Sequence, residues 1–325
     1  MQLSDTYPRL GELLGGVDAG LRQVWAGHDE FVAHAAEHAL SGPGKRLRPT
    51  VLLLAAECAG RAGEAAIALA TVVEVIHAAS LIHDDVVDAA ASRRGRRSSN
   101  ALWDNKISVL LGDYLIARAL DLVPAGERER RVPQLAEVAR RMCEGQIREV
   151  RGAGRPMPES AYIDIVKSKT GSMFAFCGSA GVESGGGSPG LADRLGRFGE
   201  RFGVAFQVAD DVLDLVGTDG QSGKSEGRDV AEGKFTLPLI LAAESSDASR
   251  ARLEHILGKE ETSPADVRAA RELARSTGAI ESTWRRVVAW LQSACDQLDA
   301  VPESEAKRAL LAACSSQFPM PVMAV

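Results

Sequence analysis

Six aspartates in two identically spaced sets carry the strongest chemical signal in this sequence. Asp84, Asp85 and Asp88 form Asp-Asp-x-x-Asp, and Asp210, Asp211 and Asp214 repeat it. Each set follows a long apolar run at helical spacing. On a helix, positions i, i+1 and i+4 share one rim, so each set presents a cluster of carboxylates. Clustered carboxylates repel one another and are costly to desolvate. A single set fits a solvated helix end. Two sets of the same spacing, each behind an apolar run, point instead to hard divalent cations. Mg²⁺ favours carboxylate oxygens and commonly bridges to substrate phosphates.

Basic groups complement the acids. Gly44-Lys45-Arg46-Leu47-Arg48-Pro49 puts three cations beside a predicted helix start, where amide donors also favour anions. Arg93-Arg94-Gly95-Arg96-Arg97 follows the first acidic set, and Lys167, Lys169 and Thr170 lie in a helical segment. Gly223-Lys224 and Gly233-Lys234 lie in a Gly-rich stretch just after the second set. Each grouping alone reads as solvated surface; their recurrence beside carboxylates reads as a phosphate-binding set. Gly223-Lys224-Ser225 resembles the end of a P-loop, but that pattern needs glycine where Thr218 stands, and the preceding segment is helical, which excludes an NTPase. No Ser-His-Asp or Cys-His constellation stands out. Metals, phosphate-binding cations and an apolar pocket suit a reaction in which diphosphate leaves a hydrocarbon as a carbocation, with the leaving charge clamped and water kept away.

The elements that must position these groups are helices. The chain has 325 residues, of which 45% are hydrophobic and only 5% aromatic, enough for a sizeable Ala- and Leu-rich core. Helical spacing predicts helices over 18–41, 48–60, 63–91, 98–122, 131–151, 159–182, 189–216, 234–246, 264–276, 279–299 and 303–316. Ser41-Gly42-Pro43-Gly44 reads as a turn, and Ser263 before Pro264 as a cap followed by proline at the first helical position. The acidic-basic run Glu127 to Arg131 reads as a solvated loop or helix face. No strand-rich region, short repeat or linker interrupts the pattern, so residues 1–325 are expected to form a single all-α domain. The segments 63–88 and 202–216 are apolar nearly all round, which marks two buried central helices whose acids share one mouth of a cavity. A net charge of −6 argues against a nucleic-acid partner. The five cysteines are odd in number and lack a CxxC pair, so neither a disulfide framework nor a zinc site is expected, and most are read as small buried hydrophobes. No signal peptide and no uninterrupted apolar run of membrane-spanning length are seen, and a soluble cytoplasmic protein is expected.

From about residue 42 to about 300 these motifs resemble the trans-isoprenyl diphosphate synthase (polyprenyl synthetase) family: GKRLRP at 44–49, HDDVVD at 83–88 with RRG at 93–95, Lys169-Thr170, QVADDVLD at 207–214, and GK to GRDVAEGK over 223–234. The resemblance implies an all-α prenyl transferase (isoprenoid synthase) bundle around a deep central cavity, usually a homodimer. It implies Mg²⁺-dependent head-to-tail joining of isopentenyl diphosphate to an allylic diphosphate. Asp84, Asp85 and Asp88 would then face Asp210, Asp211 and Asp214 across three Mg²⁺ ions, with Asp84, Asp88 and Asp210 nearest. Arg93, Lys169, Lys224 and Lys234 would hold the allylic diphosphate, and Lys45, Arg48, His77 and Arg94 isopentenyl diphosphate. His77 lies about two turns before Asp84, on the same face. Thr170 and Gln207 would stand near the reacting carbons, and the released diphosphate would take the proton. Gln146 and Glu149 resemble a further Gln-x-x-acid pair near the metals. Two departures stand out: Ala89-Ala90-Ala91-Ser92 is less acidic than in many relatives, and the tail SSQFPMPVMAV lacks the usual basic ending.

Chain length should be set on the helix behind the first acids. Ala79 and Ser80, one turn further in, are small where short-chain relatives often carry aromatics, and the first acidic set lacks the two-residue insertion of many bacterial short-chain enzymes. A deep pocket and a product of about C30 or longer are expected, with a deeper floor at Tyr114, Leu115 or 136–143 giving the geranylgeranyl length as the alternative. A terpene cyclase would replace the second acidic set with an Asn/Ser/Glu motif, and a non-catalytic subunit would lose its acids; this chain keeps both sets.

Overall fold

In a computed structural model, residues 7–27, 29–42, 44–93, 95–217, 227–316 and 318 are described. Among them the chain is all-α apart from one two-residue ribbon, in accord with the helical spacing. In chain order the helices are α1 (Pro8–Gln23), α2 (Glu30–Leu40), α3 (Leu47–Ala59) and α4 (Glu64–Val87). The ribbon β1 (Ser92–Arg93) and β2 (Arg96–Arg97) follows, paired antiparallel with Arg93 opposite Arg96. Then come α5 (Ser99–Leu102), α6 (Asn105–Leu122), α7 (Arg128–Gly152) and α8 (Glu159–Val166). After them run α9 (Ser172–Ser184), α10 (Pro189–Val216), α11 (Arg228–Ala231) and α12 (Leu237–Glu244). The last are α13 (Asp247–Leu257), α14 (Pro264–Ser276), α15 (Ala279–Cys295) and α16 (Glu305–Ser316).

The helix predicted over 18–41 is two helices. Gly27 takes a left-handed φ of 77°, and Asp29 then caps α2 by accepting from the amides of Phe31 and Val32. Helix α13 lies outside the predicted spans. Its apolar face is short, with Leu253, Ile256 and Leu257 buried, and Ser246 starts it by accepting from the amide of Ser249.

The chain forms two compact units. The first comprises Met1–Ala136, Phe174–Arg197 and Leu298–Ser316; the second comprises Glu137–Met173, Phe198–Gln297 and Gln317–Val325. Helix α4 is the centre of the first, packed against α1, α3 and α6. Its Leu69, Val72, Val73, Val75 and Ala79 are fully buried, so the all-round apolar pattern reports burial on every side. At 24 residues α4 is also long and apolar enough to cross a membrane, a length the sequence reading did not credit to any run. Here it is the core of a unit. In the second unit α12 packs against α13, α14 and α15, burying Leu237, Leu239 and Ile240.

Two sequence readings change. Arg131, read as part of a solvated run, is fully buried; its guanidinium donates to Glu127, Gln134 and Glu183, so a distant acid converts a surface charge into an internal brace. Of the cysteines, Cys177 and Cys314 are buried, Cys58 and Cys295 half-buried and Cys143 exposed.

Helix α9 reaches its neighbours through glycine. A β-carbon on Gly181 would fall on the carbonyl oxygen of Leu52 in α3, and one on Gly178 on that of Leu195. Backbone cannot yield as a side-chain tip can. Gly181→Ala should therefore lower stability by about 1–3 kcal/mol in denaturant unfolding, whereas substitution at exposed Gly190 should have little effect.

Candidate active site

Helix dipoles make acids favourable at N-termini and unfavourable at C-termini. Both acidic sets stand at the unfavourable end. Asp84 and Asp85 lie in the last turn of α4 with Asp88 as its C-cap, and Asp210, Asp211 and Asp214 lie in the last two turns of α10.

In the first unit, Asp85 is turned inward. Its side chain is 5% exposed and Oδ1 accepts from Arg93 Nε at 2.8 Å and Nη2 at 2.7 Å. Arg93 is presented by the ribbon, whose turn uses Gly95 at a φ of 75°. Of the three cations in GKRLRP, Arg46 turns inward and pairs with Glu74 at 2.6 Å, whereas Lys45 is exposed. Arg48 donates to His77 Nε2 at 3.0 Å and lies 4.9 Å over the ring of Phe174. Arginine only donates, so this histidine nitrogen accepts and His77 is neutral with its proton on Nδ1. Ala79 is fully buried, and Ser80 donates back to the carbonyl of His77 at 2.8 Å.

In the second unit, Asp211 is anchored by two neutral donors, Tyr162 Oη at 2.6 Å and Gln207 Nε2 at 2.9 Å. Gln207 Oε1 accepts from Thr170 Oγ1 at 2.9 Å. Lys169 and Thr170 sit in a π-helical turn, Lys167–Gly171, that interrupts the helix predicted over 159–182. The extra residue per turn directs Lys169 to Glu149 at 2.6 Å, while Lys167 lies 5.6 Å over the Trp290 ring. Lys234 approaches the same Glu149 oxygen at 3.4 Å and pairs with Glu232 at 2.5 Å. Asp214 accepts from the amide of Asp229 at 3.0 Å. A cavity of about 60 Å³ is lined by Glu149, Tyr162, Val166, Lys169, Gln207, Asp211, Asp229, Lys234 and Thr236.

Burial sets the electrostatics of this cavity. It pushes the Asp211 carboxyl up, with Asp210 and Glu149 adding repulsion against donation from Tyr162 and Gln207. Burial likewise raises Asp229, beside Asp211 and Asp214. Burial also opposes ionisation of Glu149, but Lys169 and Lys234 outweigh it and hold that carboxyl below the usual range. Burial and Asp211 together raise the Tyr162 phenol well above its ordinary value, so it stays a donor.

These residues fit a divalent cation on the chemistry of the donor set: hard oxygen ligands crowded in dry surroundings, with Thr236 Oγ1 buried and without a hydrogen-bond partner among the described residues. Among the described residues no three His, Cys, Asp or Glu side chains form a cage by themselves. Mg²⁺ is commonly held by one or two carboxylates with phosphate oxygens and water.

Of the residues singled out from sequence, the first unit holds Lys45, Arg48, His77, Ala79, Ser80, Asp84, Asp85, Asp88 and Arg93. The second holds Gln146, Glu149, Lys169, Thr170, Gln207, Asp210, Asp211, Asp214 and Lys234. Arg94 and Lys224 lie outside the described residues. Sequence reasoning missed Tyr162 and Asp229. Tyr162 lies seven residues before Lys169, two helical turns away, and Asp229 lies inside GRDVAEGK; neither spacing marks a role by itself.

The profile of the polyprenyl synthetase family matches residues 29–274. A nonaprenyl diphosphate synthase of Mycobacterium tuberculosis is 36% identical, over 91% of this chain and 88% of its own. An octaprenyl diphosphate synthase of Haemophilus influenzae is 35% identical, over 84% and 83%. The crystal structure of a polyprenyl synthase from Caulobacter crescentus, complexed with calcium and isoprenyl diphosphate, superposes with a TM-score of 0.91 at 33% identity over 96% of each chain.

Tyr162→Phe leaves one Asp211 oxygen buried without its donor. Stability should fall by about 1–3 kcal/mol in denaturant unfolding. The loss should shrink when Asp211→Asn is also present, giving a coupling energy of roughly 1 kcal/mol in the double-mutant cycle; strictly additive losses would mean that the bond contributes nothing.

Proposed function

This chain belongs to the polyprenyl synthetase family and is a prenyltransferase. From that premise we propose that it joins isopentenyl diphosphate head to tail to dimethylallyl, geranyl, farnesyl or geranylgeranyl diphosphate, with Mg²⁺. The product is an all-trans polyprenyl diphosphate of about C30 or longer, a reading supported by the small Ala79 and Ser80 one turn behind the first acids, where an aromatic would stop a growing chain. The observation that carries the reading is the placing of six acids at the disfavoured ends of two helices, with Arg93 fixed on Asp85 and Lys169 on Glu149.

When bound, Mg²⁺ compensates the crowded acids and the charge of a departing diphosphate. Asp84, Asp88 and Asp210 would be its nearest ligands, with Asp85, Asp211 and Asp214 completing the sets. Asp85 also aims Arg93, and Asp211 fixes Gln207. Arg93, Lys169, Lys224 and Lys234 hold the allylic diphosphate, and Glu149 keeps Lys169 and Lys234 in place. Lys45, Arg48, His77 and Arg94 hold isopentenyl diphosphate. Thr170, which donates its proton to Gln207, stands with it near the reacting carbons. The released diphosphate takes the proton that ends each addition.

The chain acts as one domain, soluble in the cytoplasm, without nucleic acid or a membrane span. It works as a homodimer. In the first unit Val109 and Leu110 of α6 are 41% and 64% exposed, apolar side chains that a second copy would cover.

Purified protein with Mg²⁺, labelled isopentenyl diphosphate and each of the four primers should give a ladder ending at a defined length. No elongation by folded protein would shift the reading to a cyclase or a partner-dependent subunit. Ala79→Phe should shorten the longest product without abolishing turnover; an unchanged ladder would mean that the chain grows in another direction.

A further inference from the structure

The ribbon carrying Arg93 is two residues long on each strand, too short to be stable alone. Something outside it must hold it: Asp85 holds β1 through Arg93, and His38 of α2 holds β2. Its Nδ1 lies 2.9 Å from Arg96 Nη2 and its Nε2 lies 3.0 Å from the carbonyl oxygen of Arg97. Arginine can only donate and a carbonyl can only accept, so the ring is neutral with its proton on Nε2. One imidazole thereby ties down both residues of β2. The ring itself is fixed edge-on to Trp103 at 5.4 Å, and the same indole packs against His34 and Phe31. Arg96 is the register partner of Arg93, whose guanidinium is spent on Asp85. A continuous chain of contacts therefore runs from α2 through β2 and β1 to the first acidic set.

We propose that His38 is a positioning residue that straps the arginine ribbon against the first acidic set and so sets the affinity for both diphosphate substrates. The proposal rests on the assignment of Arg93 and Arg94 to those substrates. His38 touches neither substrate and acts only through β2. It also makes the strap sensitive to acid. An imidazolium has no lone pair for Arg96, and the charged groups facing it, Arg96 and His34, are both basic. Burial, the largest effect, together with Arg96 and His34 lowers the affinity of His38 for its proton, against the Arg97 carbonyl, which raises it. The neutral strap therefore persists into the ordinary histidine range and is lost only at a lower pH than an exposed histidine would need.

Trypsin reads the strap directly, because residues 93–97 are rich in its cleavage sites. His38→Ala should speed nicking within 93–97 about tenfold at neutral pH, and should raise KM for both diphosphates about tenfold with kcat changed less than threefold. His38→Gln keeps an acceptor and a donor, so it should restore slow nicking. The nicking rate of the parent relative to His38→Gln should climb as pH drops from 7.5 to 5.5. Parent-like nicking and KM in His38→Ala would overturn the proposal. If His38→Ala does not fold, the pH dependence of the parent against His38→Gln decides; a flat ratio overturns the proposal. Arg93→Ala and Arg94→Ala separate the two readings: if neither changes either KM, the substrate assignment of the ribbon fails, while the nicking rates still judge the strap.

Discussion

A carboxylate at the C-terminal end of a helix is repelled by the helix's own carbonyl groups, and this chain builds that arrangement twice. Most of the surrounding polar structure is compensation for it. Asp85 is met by Arg93, Asp211 by Tyr162 and Gln207, Asp214 by the amide of Asp229, and Glu149 by Lys169 and Lys234. Several of these contacts also fix a group of the proposed chemistry: Arg93, the two lysines and, with Thr170, Gln207. Cost and purpose coincide, because the groups that offset the repulsion are the ones that need fixed positions.

The apolar helices behind the acids carry a second constraint. A core helix gains about 1.5–3 kcal/mol for each large aliphatic side chain it buries, which favours filling every position. At Ala79, α4 carries a methyl group where a larger side chain would bury more surface, and it is fully buried all the same. A small residue there is what the proposed growth of a hydrocarbon past α4 requires. The fully buried stretch of α4 explains why a segment long enough for a bilayer serves as a protein core: its neighbours α1, α3 and α6 supply the apolar surroundings.

Much of this was legible in the sequence, and the limits have physical causes. Helical spacing carried the all-α class, and paired acidic sets with basic partners carried the family, because both are patterns over many residues. The π-helical turn at Lys167–Gly171 was not legible, since one extra residue per turn hardly alters apolar spacing. Arg131 read as solvated because Glu183, which buries it, lies 52 residues away. Arg46 and Arg48 stand two apart in one motif, yet Glu74 draws Arg46 inward while His77 and Phe174 engage Arg48. Tyr162 and Asp229 were missed because a single buried donor or acid leaves no repeat to detect.

The central claim is that the acidic sets hold divalent cations together with a bound diphosphate rather than alone. Mn²⁺ can stand in for Mg²⁺, and its free concentration can be followed by electron paramagnetic resonance during titration, with and without a non-reacting allylic thiodiphosphate. The account predicts weak, unsaturated binding to the protein alone and saturable uptake of more than one ion once the analogue is present. Tight binding that the analogue does not change, or no uptake in its presence, would contradict it.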